Sequence, residues 1–140
     1  MRFDTLTAEQ LREGWTDVLD SAQFQHRNYQ LLYRGKPAMA LLSPYTYQAM
    51  CNDLDQDAGQ VLETEAPKID KPGMRSRSID WRALDNGQRV SADPGSVRNQ
   101  LGSARLYVDK RGGHLALTRW GECAAVLVPM TFVEEAQNKA

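Results

Sequence analysis

The sequence contains no long apolar run; none approaches the roughly 18 residues needed to span a bilayer. Its first ten residues, MRFDTLTAEQ, carry acids where a signal peptide needs an apolar stretch, so a cytoplasmic protein is expected. Cysteine is scarce. Cys51 and Cys123 are too few for a disulfide framework, and Cys123 lies in an apolar strand-like run, so both are read as reduced and structural. The two histidines, His26 and His114, stand far apart with no metal-ligand spacing around either. There is no phosphate loop, no G-x-S-x-G and no carboxylate pair in a recognisable frame. The expectation is a protein without cofactor, metal or enzymatic activity. Neither sign of charge dominates: 17 Lys and Arg face 18 Asp and Glu, for a net charge of −1. Any nucleic-acid site must therefore be a local cluster of cations.

What is present is the balance of a folded protein, 41% apolar and 25% charged over 140 residues. That length suits one ordinary domain or two very small ones. Thr7 and Gln10 form a capping-box pair, and Leu11, Trp15, Val18, Leu19 and Ala22 follow at helical spacing. They predict a helix from Thr7 to about Gln23, weakened at Gly14. Tyr29–Tyr33 and Ala38–Leu42 read as strands of a hairpin around Arg34-Gly35-Lys36-Pro37. Ser43-Pro44 opens a further helix through Cys51.

The same order returns later. Asp93-Pro94 opens a helix with Val97, Leu101, Ala104 and Val108 on its apolar stripe. After Arg111-Gly112-Gly113-His114, read as a turn, Leu115–Thr118 and Cys123–Val128 flank a turn at Arg119-Trp120-Gly121-Glu122. Pro129 starts a last short helix. A shift of 86 residues aligns the two segments without a gap, placing Arg12 on Arg98, Leu31 on Leu117, Gly35 on Gly121 and Leu41 on Leu127. The expected fold class is α+β, with repeats at 1–51 and 89–140 joined by a linker at 52–88. The linker begins acidic, with Leu54, Ala58, Val61 and Leu62 at helical spacing. Pro67, Pro72 and Gly73 interrupt it, and Lys68, Lys71, Arg75, Arg77, Arg82 and Arg89 then make it basic. Asp80–Leu84 reads as a short helix or a strand-like clip.

The run Leu11–Asp20, LREGWTDVLD, and the hairpin run Leu31–Pro44, LLYRGKPAMALLSP, resemble the first helix and the hairpin of the Phd/YefM antitoxins. Tyr47 falls where that family has the tyrosine of S-P-E-E-Y. The second segment carries the same pieces in Arg98–Gly102, Leu117–Arg119 and Gly121–Pro129. The resemblance covers about Phe3 to Cys51 and Arg89 to Ala136. It implies units of about 50 residues that pair as a dimer, here within one chain as a pseudo-dimer. It also implies binding of a palindromic or pseudo-palindromic operator, control of the protein's own operon, and neutralisation of a cognate toxin. Three departures stand out: the two copies are fused, the sequence given ends soon after the second, and Glu122 and Cys123 replace Lys36 and Pro37.

On this resemblance the DNA face comprises Arg12, Arg34 and Lys36 from one half and Arg98 and Arg119 from the other. Arg12 and Arg98 are expected in the first turn or two of their helices, where an Arg can reach a base edge or phosphate and the helix N-terminal amides favour an anion. The acidic stretch Asp53–Glu65, anchored by Leu54, Val61 and Leu62, is the candidate surface for a protein partner; packing against its own fold is the other reading of that stretch. A DNA-binding repressor and a protein-interaction module without DNA binding thus both follow. The expected species is a monomeric pseudo-dimer or a homodimer, with no membrane partner.

Overall fold

The computed structural model describes residues 2–70, 73 and 77–140; Lys71, Pro72 and Arg75 of the interrupted basic stretch lie outside them. Strand β1 (Asp4–Thr7) runs directly into helix α1 (Ala8–Glu13). Both bonds of the capping box between Thr7 and Gln10 are made. The helix predicted as continuous is broken at Gly14, and α2 (Trp15–Gln25) follows. It ends on His26 in the left-handed region, φ 57°.

β2 (Tyr29–Tyr33) and β3 (Lys36–Leu42) form the hairpin. Arg34 and Gly35 both have positive φ, 51° and 77°, as a two-residue turn matched to strand twist requires. The turn is thus shorter than its four-residue sequence signal, and Lys36 and Pro37 belong to the strand. Ser43 caps α3 (Pro44–Asp53) by accepting from the Thr46 amide at 3.0 Å.

The acidic stretch does not form one amphipathic helix. α3 stops at Asp53, and Asp55 takes φ 54°. Only Ala58–Leu62 winds again, as a short 3₁₀ turn capped by Asp57. The rest of residues 52–88 holds a small hairpin of β4 (Lys68–Ile69) and β5 (Ser78–Ile79) and a 3₁₀ turn at Trp81–Ala83. Although linker-like in composition, it lends Val61, Ala66, Ile79 and Leu84 to the core.

β6 (Arg89–Ala92) leads into α4 (Pro94–Asn99), with Asp93 as cap. After a break at Gln100 come α5 (Leu101–Arg105) and a wider π-type turn, Leu106–Lys110. This break contains no glycine, yet it falls 86 residues after the one at Gly14. A glycine alone therefore does not cause it. β7 (His114–Arg119), β8 (Glu122–Pro129) and α6 (Met130–Lys139) complete the chain.

The result is an α+β protein built on one six-stranded mixed sheet, in the order β1-β2-β3-β8-β7-β6. The registers of its two halves agree. Tyr29 pairs with Leu41 and Leu115 with Leu127; Leu6 pairs with Leu31 and Ala92 with Leu117. Both hairpins shift register at the same place, Leu31/Leu32 and Leu117/Thr118. At the centre β3 pairs antiparallel with β8, and Leu41 faces Leu127. Residues on successive positions point to opposite faces. Met39, Leu41, Leu115, Leu117 and Leu127 pack beneath α1, α2, α4 and α5, while Ala40, Leu42, Ala116, Val126 and Val128 pack beneath α3 and α6. Full burial on both faces is why the inner strands read as continuous apolar runs.

Candidate nucleic-acid interface

Arg12 stands in the last turn of α1 and Arg98 in the last turn of α4, at the carbonyl ends and not near the N-terminal amides as expected, because the breaks at Gly14 and Gln100 end each helix after six residues. The sheet brings these two helix ends together: the Nε and Nη2 groups of Arg98 donate to the Arg12 carbonyl at 3.1 and 3.0 Å. A cation suits the carbonyl end of a helix, where the backbone dipoles leave partial negative charge. Arg98 therefore closes α1 in addition to facing solvent. The cleft beside it is lined by Glu13 and Asp17, which weaken its field. The Arg12 side chain is exposed and has no acidic partner among the described residues.

A second group of cations lies at the tip of the first hairpin. Arg34 and Lys36 are exposed there, and they share a shallow depression with Lys110 and Asp109. Arg105 lies across the Tyr33 ring, 3.6 Å from its centroid, and pairs with Asp109 at 3.4 Å. Arg12, Tyr33 and Arg105 border one cavity, so the two groups are continuous through it. Sequence reasoning does not single out Arg105 or Lys110. Both belong to the second half of the chain and reach the first hairpin only through the pairing of β3 with β8.

Arg119, the remaining expected DNA contact, is not free. Its Nη2 donates to Asp20 at 2.6 Å and its Nε to Gln23 at 2.9 Å. Its side chain is only 12% exposed and lies near the rings of Trp120 and Phe24. It fastens α2 to the second hairpin, and reaching a phosphate would break that ion pair. The second tip also reverses the chemistry of the first. Trp120, 76% exposed, stands where the first tip has Arg34, and exposed Glu122 where it has Lys36. Phe24, 62% exposed, stands where the other side has Lys110.

Of the three expected partner anchors, Val61 is buried in the core and Leu54 packs partly against it; Leu62 alone remains exposed. Cys51 and Cys123 are both free, and burial pushes the Cys123 thiol up to about 11. Thiols so held are poor nucleophiles and poor metal ligands. Trp15 belongs to the core, as its helical spacing predicts. No protein-family model matches the chain, and neither a curated protein nor a solved structure matches it.

Proposed function

We propose that the protein is a sequence-specific DNA-binding repressor of the type II antitoxin kind, formed by two Phd/YefM-like units paired within one chain. The observation that carries this reading is the repeated register about the Leu41–Leu127 pair, which sets Arg12 beside Arg98. Paired helix ends carrying cations suit a target with two related half-sites. Ends in direct contact suit adjacent base pairs in one groove; recognition helices that enter successive grooves stand about 34 Å apart. The cations continue on one side only, through Arg105 to Arg34, Lys36 and Lys110. The matching operator is accordingly lopsided, with firmer backbone contacts to one half.

The test is fluorescence anisotropy on a duplex from upstream of the protein's own reading frame, against an unrelated duplex. With Arg12 on a base edge, three phosphate contacts, from Arg34, Lys36 and Lys110, give a slope of log affinity on log salt of about −2.7. Arg12→Glu is expected to abolish the preference for the upstream duplex. Lys36→Gln is expected to weaken binding to both duplexes and reduce the slope by about 1. Equal affinity for the two duplexes, or an affinity that does not depend on salt, would overturn the proposal.

A second reading is favoured by the reversed chemistry of the other tip. Exposed Trp120 and Phe24 suit a protein-contact site, since aromatic residues are enriched at such sites. On this reading the second hairpin receives a cognate toxin. Trp120→Ala is expected to lose co-purification with the product of the adjacent reading frame while DNA binding persists. Retention of that partner by the variant would refute it.

A further inference from the structure

The DNA reading leaves the cavity between α1, the first hairpin and α5 unexplained. Its volume is about 320 Å³, and its wall is mostly apolar, with Leu11, Leu31, Met39 and Leu101 contributing. Two guanidinium groups stand on its border, Arg12 and Arg105. Arg105 is held in place by the Tyr33 ring and by Asp109. Arg12 has no acidic partner among the described residues. The two cations thus face one carboxylate, and net positive charge remains at the border.

The other half of the molecule shows what closes such a space. At the positions matching Leu101, Gly102 and Arg105 it has Trp15, Thr16 and Leu19, and both Trp15 and Leu19 are buried. On the cavity side a smaller residue, a glycine and an arginine drawn onto the Tyr33 ring leave the space open. A Cβ built on Gly102 would meet nothing within 4 Å.

An apolar pocket with a few convergent polar groups is the usual form of a small-molecule site. We infer that this cavity binds a small amphipathic monocarboxylate, its tail among Leu11, Leu31, Met39 and Leu101 and its carboxylate between Arg12 and Arg105. At about 30 Å³ per water-sized group, a cavity of about 320 Å³ holds about ten non-hydrogen atoms. Octanoate has that size and serves as the probe. The inference stands apart from the DNA reading, because binding is measured without DNA.

The experiment is titration of the full chain with octanoate, octan-1-ol and octylamine, followed by amide chemical shifts and calorimetry. Saturable binding of octanoate is expected, at least about tenfold tighter than the alcohol, a difference that one charge-assisted contact to arginine supplies. The shifts should centre on Leu11, Leu31, Met39 and Leu101. Arg12→Gln is expected to bring octanoate down to the affinity of octan-1-ol. Gly102→Leu is expected to abolish binding of both while leaving the melting temperature unchanged or higher, since it replaces a helical glycine. Absence of saturation up to millimolar octanoate overturns the inference, as does unchanged binding in Gly102→Leu. Equal affinity for octanoate and octan-1-ol overturns the carboxylate assignment. Sedimentation showing a dimer that Gly102→Leu dissociates would give the cavity to a second copy of the chain instead.

Discussion

Asn28 and His114 occupy matched places in the two halves and do different work. Asn28 accepts from the Ser43 amide at 2.8 Å. In the second half Pro129 stands where Ser43 does, and proline has no amide to offer. His114 turns instead to the other half, where its Nδ1 shares a hydrogen bond with the Tyr47 hydroxyl at 2.8 Å. The Phe132 ring packs edge-on at 4.6 Å. Burial, aided by the nearby Arg89 guanidinium, lowers the His114 pKa to about 3. An unfolded histidine titrates near 6.5, so below that pH the unfolded chain takes up a proton that the folded protein refuses. Stability is therefore full above about pH 6.5 and falls as the pH drops toward 3, with a limiting slope of about 1.4 kcal/mol per pH unit. Urea unfolding at pH 7 and pH 5 should show this loss, and His114→Gln should remove most of it. Gly113 offers a second test at this scale. A Cβ there would collide with the Tyr107 ring, which is buried under the chain and whose hydroxyl donates to the Gln88 carbonyl. Gly113→Ala is expected to cost about 1–3 kcal/mol by overpacking, read from the urea midpoint.

Among the elements, the segment after α3 separates a buried from a free apolar side chain. Val61 is 1% exposed and Leu62 is 49% exposed, although they are neighbours. Val61→Asp should unfold the protein at 25 °C, because it places a carboxylate in an apolar site. Leu62→Asp should shift stability by no more than about 0.5 kcal/mol. Thermal denaturation of the two variants checks both.

Much of this level was legible in the sequence because it depends on local chemistry. Thr7, Ser43 and Asp93 cap helices as their residue types require. Gly35 and Gly121 mark two hairpins whose apolar strands lie between turn residues. β1 and β6 were not legible. Four residues such as DTLT carry a weak pattern, and each strand exists only through parallel pairing with a partner more than twenty residues away. The acidic stretch misled because helical spacing says nothing about Asp55, whose left-handed conformation breaks the periodicity. The candidate site was half legible for the same reason. Arg12 and Arg98 share a place in two matched helices, whereas the ion pair of Arg119 with Asp20 and the arrival of Lys110 beside Arg34 are products of tertiary packing.

At the scale of the whole molecule, the central pairing of β3 with β8 makes the two halves share both apolar layers. Neither half could bury its own strand face alone. Unfolding should be a single transition, with far-UV circular dichroism and tryptophan fluorescence coincident in urea. Two separated transitions would mean that the halves fold independently.

The two margins of the sheet are treated differently. Along β6, the backbone of residues 64–66 lies against the strand: the Ser91 amide donates to the Thr64 carbonyl at 2.9 Å, and the Ala66 amide donates to the Ser91 carbonyl at 2.7 Å. Among the described residues, β1 at the opposite margin has a strand neighbour on one side only. Unpaired strand margins template the joining of further chains. With one margin sealed, main-chain joining through β1 can couple two molecules and then has no remaining margin from which to propagate. The segment between the repeats thus makes this sheet a poor seed for fibres.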